Sequence, residues 1–440
     1  MSLTPNQIID AGPMHMRQWL AVALTVFLNA LDGFDVLSSA FAGPGISTEW
    51  GLSPAQLGVV QAMELIGMGV GSLLLGGMAD RYGRRPTIFA CLALMATGMF
   101  LAAAATEANM LSFWRLLTGI GIGGMLAATN AVAFEYSNAR HRSFCIAAMV
   151  IGFPLGGFFG GLIIKHLLPA NDWRAIFEMG AWATALAIPL VWLLIPETPA
   201  FLNTKRPAGA LEKINRTLVS MGHRAIAELA LIPPGRAKAT IADIFRPAYL
   251  RTTLLLSFGF AFHALTFYFI IKMVPNILAD PKFVGLSYTR PEAAGVLAYA
   301  NLGGALGGGV FGWFMHRFGI RNSTMVALGL AAVMVCYFGL GQTSLAAWTI
   351  VVIAVGLFAN SAVVGFYAAW AAAYPTHIKA TGTGFALTVG RGGAALSPIL
   401  AGGLFSAQLG LLGVSVMMAA GSLISLALFS LVELKDPEAH

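Results

Sequence analysis

The sequence predicts an all-α membrane protein with twelve transmembrane helices in two six-helix halves. Three observations lead there. The chain is 58% hydrophobic and 10% charged, whereas soluble domains carry about 25% charged residues. Apolar stretches long enough to cross a bilayer, about 20 residues of helix each, recur from one end to the other. Their approximate spans are 17–42, 54–79, 86–106, 109–136, 143–168, 173–196, 250–275, 290–315, 322–341, 345–373, 380–405 and 408–432. Finally, Gly-Met-Gly-Val-Gly at 67–71 and Ala-Asp-Arg-Tyr-Gly-Arg-Arg at 79–85 recur in altered form 236 residues later, at 303–307 and 315–321. A repeat of that period implies two copies of one helical unit.

The first span is interrupted by Asp32-Gly33-Phe34-Asp35. One Asp at a helix centre costs roughly 2.5–3.5 kcal/mol on insertion, so two of them mark a functional site by default. Their spacing of three places both on one helix face. The second span carries Glu64 at a similar depth among glycines and ends at Asp80, Arg81, Arg84 and Arg85. Arg115 starts the fourth span and Glu135 ends it. A single polar stretch, 197–249, separates residues 1–196 from 250–440 and is read as the linker between halves. Beyond it, His263 falls mid-span, Tyr299 and Asn301 lie in the eighth span, and His316, Arg317 and Arg321 form the second basic loop. Phe366, Tyr367 and Trp370 lie in the tenth span and Arg391 lies about ten residues into the eleventh.

Charge distribution excludes several classes. The formal net charge of +7 comes from loops on one side. With the N-terminus placed in the cytoplasm, 19 Lys/Arg fall on that side, 5 on the other (Lys165, Arg174, Lys272, Lys282, Arg290) and 2 inside spans (Arg115, Arg391). The positive-inside bias therefore predicts both termini in the cytoplasm and no nucleic-acid role. The N-terminal apolar run is too long for a signal peptide and lacks a cleavage site, so it is read as an uncleaved helix. Cys91, Cys145 and Cys336 have no metal-ligand spacing. No nucleotide loop, metal cluster or nucleophile constellation is visible, so the chain is not expected to be an enzyme or to hold a cofactor or metal.

Gly76-Gly77-Met78-Ala79-Asp80-Arg81-Tyr82-Gly83-Arg84-Arg85-Pro86, the Arg115 to Gly124 stretch, Glu135-Tyr136-Ser137-Asn138-Ala139-Arg140 and Pro196-Glu197-Thr198-Pro199 together resemble the major facilitator superfamily and its fold. His316 stands where that family usually has an acid. Asp32-Gly33-Phe34-Asp35, with Arg115, Glu135 and Arg391, is similar to the aromatic acid:proton symporters. The resemblance implies proton-coupled import of an aromatic carboxylate across a bacterial inner membrane by a multi-pass monomer. A symporter for an aliphatic organic or sugar acid is the nearest alternative. A proton/drug antiporter is a third reading, disfavoured by Arg391 because a fixed midplane cation repels cationic drugs.

Residue chemistry assigns roles within that expectation. Asp32 and Asp35 are the expected proton-coupling pair, with protons as the coupling ion. Arg391 offers a planar fork that matches a carboxylate, and its neighbouring glycines leave room for a ligand. Glu64, Phe34, His263, Asn301, Tyr299, Phe366, Tyr367 and Trp370 complete the expected substrate-binding set. Each also has a plain packing reading, since the chain has 29 Phe and most aromatics face lipid or core. Glu64 is expected to face Arg115, Arg391 or a hydroxyl on the substrate ring. Asp80, Arg81, Arg84, Arg85, Arg115, Glu135, His316, Arg317 and Arg321 are read as gating or structural.

Overall fold

The computed structural model describes residues 4–229, 240–284, 288–375 and 378–433. Arg236, Lys238 and Lys435, counted above as cytoplasmic charges, lie outside the described residues. The elements are α1 (Pro5–Ala11), α2 (Met16–Trp50), α3 (Pro54–Tyr82), α4 (Arg84–Ala103), α5 (Ala108–Tyr136), α6 (Arg142–Leu167), α7 (Arg174–Leu194), α8 (Pro199–Lys205), α9 (Ala210–Ser220), α10 (Ile241–Ile244), α11 (Pro247–Ala279), α12 (Pro281–Val284), α13 (Arg290–Phe318), α14 (Ile320–Gly339), α15 (Leu345–Ala373), α16 (Lys379–Ser406) and α17 (Leu411–Ser430). The described residues contain no strand. Among the described residues, eleven helices are long and apolar enough to cross a membrane. The remaining long helix, α16, is diluted by glycines and by Arg391 but packs as closely against α3 and α11 as its neighbours do.

Helix ends follow local chemistry. Ser53 and Thr289 each cap a helix that opens with Pro, accepting from the backbone N–H of Gln56 and Glu292. Such capping boxes satisfy donors that the first turn leaves unpaired. The α2 helix runs eight residues past the expected end at 42, through Pro44, and stops at Gly51 in the left-handed region, φ 61°. A polar clamp explains the extension: Glu49 accepts from Trp173 Nε1 at 2.6 Å and from Arg174 Nη2 at 2.7 Å. Hydropathy alone reads Ser47, Thr48 and Glu49 as loop.

The repeat is visible in the backbone. The pair α3 and α4, 29 and 20 residues joined by Gly83, returns as α13 and α14, also 29 and 20 residues joined by Gly319. Both joints need positive φ, 118° and 81°, which favours glycine. Packing repeats as well. A Cβ on Gly67 or Gly71 would lie 2.2 or 2.0 Å from a carbonyl oxygen of α5, and one on Gly303 or Gly307 would lie 2.1 or 2.3 Å from a carbonyl oxygen of α15. Small residues let helices in a bilayer pack backbone to backbone.

Helices α2 to α7 pack mainly on one another, as do α11 to α17, and the two groups meet through α3 with α16, α6 with α13, and α2 with α11. The linker is partly helical. Ile214 and Leu218 of α9 join Ile8 and Ile9 of α1 in the apolar cluster under the first group.

Candidate functional site

At one end of the bundle the two groups are pressed together. Main chain meets main chain there: a Cβ on Gly58 would lie 2.2 Å from the Pro398 oxygen, and one on Gly402 would lie 2.2 Å from the Pro54 oxygen. Beside them, Gly161 faces Ala298 and Gly43 faces the Asn276 amide. The Ala55 N–H donates to Ser406 Oγ at 3.1 Å. We call this the sealed end. The opposite, basic end carries Arg81, Arg84 and Arg85, and no comparable approach between the groups occurs there among the described residues.

Below the seal lies a fully buried ion network. Glu64 Oε2 accepts from Arg115 Nη2 at 2.7 Å, Lys272 Nζ at 3.1 Å and Ser39 Oγ at 3.0 Å. Lys272 also donates to Ser39 Oγ and to the Val36 oxygen. Arg115 donates to the Asp35 oxygen at 2.7 Å and stacks on Phe177. Arg115, expected to be gating or structural, is wholly buried at the centre of this network, and it is one of the partners expected for Glu64. Lys272, counted as an outer-side charge, is wholly buried as well. Its signal was a lone cation inside the apolar run Phe267 to Leu278. Glu64 has internal partners, so it needs no ring hydroxyl from a ligand in this arrangement.

Further toward the basic end lies Arg391. Seven residues of α16 separate it from Pro398 at the seal, about 10 Å along a helix. Its Nη1 is buried without a hydrogen-bond partner, and Tyr268, Tyr367 and Asp32 are within electrostatic range. Its flanking glycines are not all free, contrary to expectation. Gly390 packs on the Phe260 ring and Gly393 on the Ala261 oxygen, which leaves Gly392 open. Tyr268 was missed by sequence reading. It precedes Lys272 by four residues and so shares its helix face.

Asp32 and Asp35 are buried, and none of their four carboxylate oxygens has a hydrogen-bond partner among the described residues. Asp32 senses Asp35 and Arg391, whereas Asp35 senses Arg115 and Glu64. The pair therefore links the two cationic levels.

Several residues expected to meet a ligand are occupied by packing. Phe34 fills the space left by Gly160 and Gly180. Phe366 and Trp370 are wholly buried against Phe260 within the second group. His263 spends both ring nitrogens, on Ser422 Oγ and the Ala359 oxygen at 2.9 Å each. Asn301 donates to the Leu297 oxygen, and Tyr299 packs on Phe158. Burial makes hydrogen bonding inside the fold the cheaper outcome for these polar groups. Tyr367, beside Arg391, remains partly exposed.

The basic end holds the loop residues. Arg84 pairs with Glu135 at 2.8 Å and Asp80 at 3.4 Å, and Glu197 accepts from the Arg84 and Arg85 backbone N–H groups. Arg81 stacks on exposed Tyr82. Among the described residues the second loop lacks such bracing. Arg321 donates to the Ser430 oxygen, Arg317 lies over Phe318, and His316 is exposed.

The Major Facilitator Superfamily profile matches residues 22–398. A gallate transporter of Pseudomonas putida is 31% identical over 92% of this chain and 89% of its own. The 4-hydroxybenzoate transporter PcaK of Acinetobacter baylyi is 29% identical over 99% of this chain and 96% of its own. A 3-(3-hydroxy-phenyl)propionate transporter of Escherichia coli is 28% identical over 94% of each. The crystal structure of a point mutant of the nucleoside transporter NupG superposes with a TM-score of 0.68, covering 93% of this chain and 99% of that one at 16% identity.

Proposed function

Because the chain belongs to the Major Facilitator Superfamily, and is therefore a multi-pass membrane transporter and not an enzyme, we propose that it is a proton-coupled symporter that imports a hydroxylated aromatic carboxylate by alternating access. The proposal makes α16 the twelfth span, puts both termini in the cytoplasm of a bacterial inner membrane and has the two groups rock as halves of a monomer. In this reading the structure is the inward-facing state.

The observation that carries the proposal is Arg391. It is a cation on the face between the two groups, with an unpartnered buried N–H, two tyrosines and an aspartate around it. An unpaired buried polar group is costly, and a planar carboxylate answers a guanidinium fork in kind. Tyr268 and Tyr367 supply ring faces for an aromatic ligand and hydroxyls for its ring substituents. The relatives' printed substrates, gallate and 4-hydroxybenzoate, are acids of that kind. A coupling proton would bind at Asp32 and Asp35, whose carboxyls have no donor to share their charge.

The test is uptake of labelled gallate and 4-hydroxybenzoate into proteoliposomes with and without an imposed inward proton gradient. Concentrative uptake with the gradient and mere equilibration without it is expected. Equal accumulation in both conditions would remove proton coupling.

A further inference from the structure

We propose that Lys272 is an exchangeable anion site: it holds the Glu64 carboxylate when the seal is shut and the substrate's carboxylate when the seal opens. The inference rests on the carrier reading above and adds a second binding level to it.

The partners of Lys272 come from across the interface between the two groups. Its ammonium donates to the Val36 oxygen, Ser39 Oγ and Glu64 Oε2. All three belong to α2 and α3, in the first group, while Lys272 belongs to α11, in the second. Among the described residues the ammonium has no partner from its own group. Glu64 is placed differently. It keeps Arg115 and Ser39, both in the first group, whether or not Lys272 is present.

Opening the sealed end pulls α11 away from α2 and α3. Glu64 Oε2 then keeps Arg115 and Ser39, and Lys272 loses its three polar partners at once. The newly exposed wall presents an ammonium whose ion-pair partner has gone, and a charge-assisted hydrogen bond to an arriving carboxylate replaces it. A small carboxylate arriving from that side supplies one. Reclosing brings Glu64 back into competition for the same Nζ and pushes the ligand deeper. Arg391 waits there: a Cβ on Gly69 would lie 4.0 Å from the Arg391 Cβ, and Gly69 lies five residues beyond Glu64 on α3, about 7.5 Å along the helix. Tyr268, on the Lys272 face of α11 and in range of Arg391, lines the step between the two.

The internal repeat shows that packing does not require these charges. The helix pair α13 and α15 repeats the glycine contacts of α3 and α5. At the positions matching Glu64 and Arg115 it carries Ala300 and Val352. Two helices of this geometry pack without an ion pair between them.

The experiment uses purified full-length protein in proteoliposomes, with 4-hydroxybenzoate and its neutral amide as probes. Wild-type binding and uptake test the carrier reading itself. Lys272→Met removes the cation at similar length, Lys272→Arg keeps it, and Glu64→Gln removes the internal competitor. Expected results are an acid affinity at least tenfold weaker in Lys272→Met, a near wild-type value in Lys272→Arg, and a several-fold tighter value in Glu64→Gln. Amide binding should be unchanged in all three. Seal opening is followed in parallel by maleimide labelling of Ala298→Cys, which should rise in Glu64→Gln. If Lys272→Met fails to fold, the Glu64→Gln affinity decides alone. Wild-type-like acid affinity in Glu64→Gln, or equal losses for acid and amide in Lys272→Met, would overturn the proposal. So would altered labelling without altered acid affinity. Any of these results in a wild type that transports the acid leaves the carrier reading standing.

Discussion

At the scale of single residues, the charged groups differ in how far the fold already pairs them. Glu64, Arg115 and Lys272 pair with one another, although Glu64 Oε1 and Arg115 Nε have no hydrogen-bond partner among the described residues. Neither carboxylate oxygen of Asp32 or of Asp35 is hydrogen-bonded there and Arg391 Nη1 is bare, and these three carry the sharper predictions. Asp32→Asn or Asp35→Asn should abolish gradient-driven accumulation while at least one variant still binds substrate. Normal concentrative uptake in both variants would free the acids of any coupling role. Arg391→Ala should weaken acid binding by the worth of a hydrogen bond to a charged group, roughly 1.5–3 kcal/mol, or about ten- to a hundredfold. Arg391→Lys should lie between, since it keeps charge but loses the fork. An equal loss for a neutral amide, measured by competition, would make the arginine structural. The sequence exposed these three because an isolated charge in an apolar run is conspicuous. It hid the Lys272 network because pairing across distant helices leaves no local pattern. The aromatic expectations fared differently. Phe34, Phe366 and Trp370 shared helices with the site, but helix rotation turned them into the packing.

At the scale of elements, the existence of the long helices was legible and their ends were not. Hydropathy located each of the long helices, whereas the extra turns of α2 depend on a clamp from Trp173 and Arg174, more than a hundred residues away. The seal between α3 and α16 was not legible either, since it is written in glycines that serve equally well within one group. It yields a prediction. Gly58→Val places a branched side chain where a Cβ would already sit 2.2 Å from the Pro398 oxygen. Overpacking of this kind costs about 1–3 kcal/mol, which should lower the sealed population roughly 5- to 150-fold. Transport should fall while labelling of Ala298→Cys rises. Unchanged labelling would mean that the contact is not what shuts this end.

At the scale of the whole molecule, the linker ties the chain's N-terminus to its first group. His223 packs edge-on against His15, ring centroids 5.4 Å apart, and contacts Oε1 of Gln18, whose Nε2 donates to the Tyr136 oxygen. Burial and the neighbouring imidazole of His15 hold His223 below its ordinary 6.5. The sign follows: the docked form prefers the neutral ring, so docking is fully supported above about pH 6.5 and weakens as acid forces a proton onto it. Limited proteolysis of the 199–229 segment should therefore accelerate below pH 6, and His223→Gln should flatten the profile. Equal protection from pH 5 to 8 in the wild type would dismiss the effect.

The seal has one more consequence, which concerns how such a molecule changes over time. Its closest contacts are made by main-chain oxygens against residues that have no side chain to vary. In the proposed reading, recognition of the passenger falls instead to side chains such as Tyr268 and Tyr367, which make no part of those contacts. A lineage can thus retune what it carries by point substitution and inherit an unaltered lock, as one door frame accepts many keys. Gallate and hydroxyphenylpropionate carriers that align along nearly the whole of this chain are the outcome that such a separation of closure from selectivity permits.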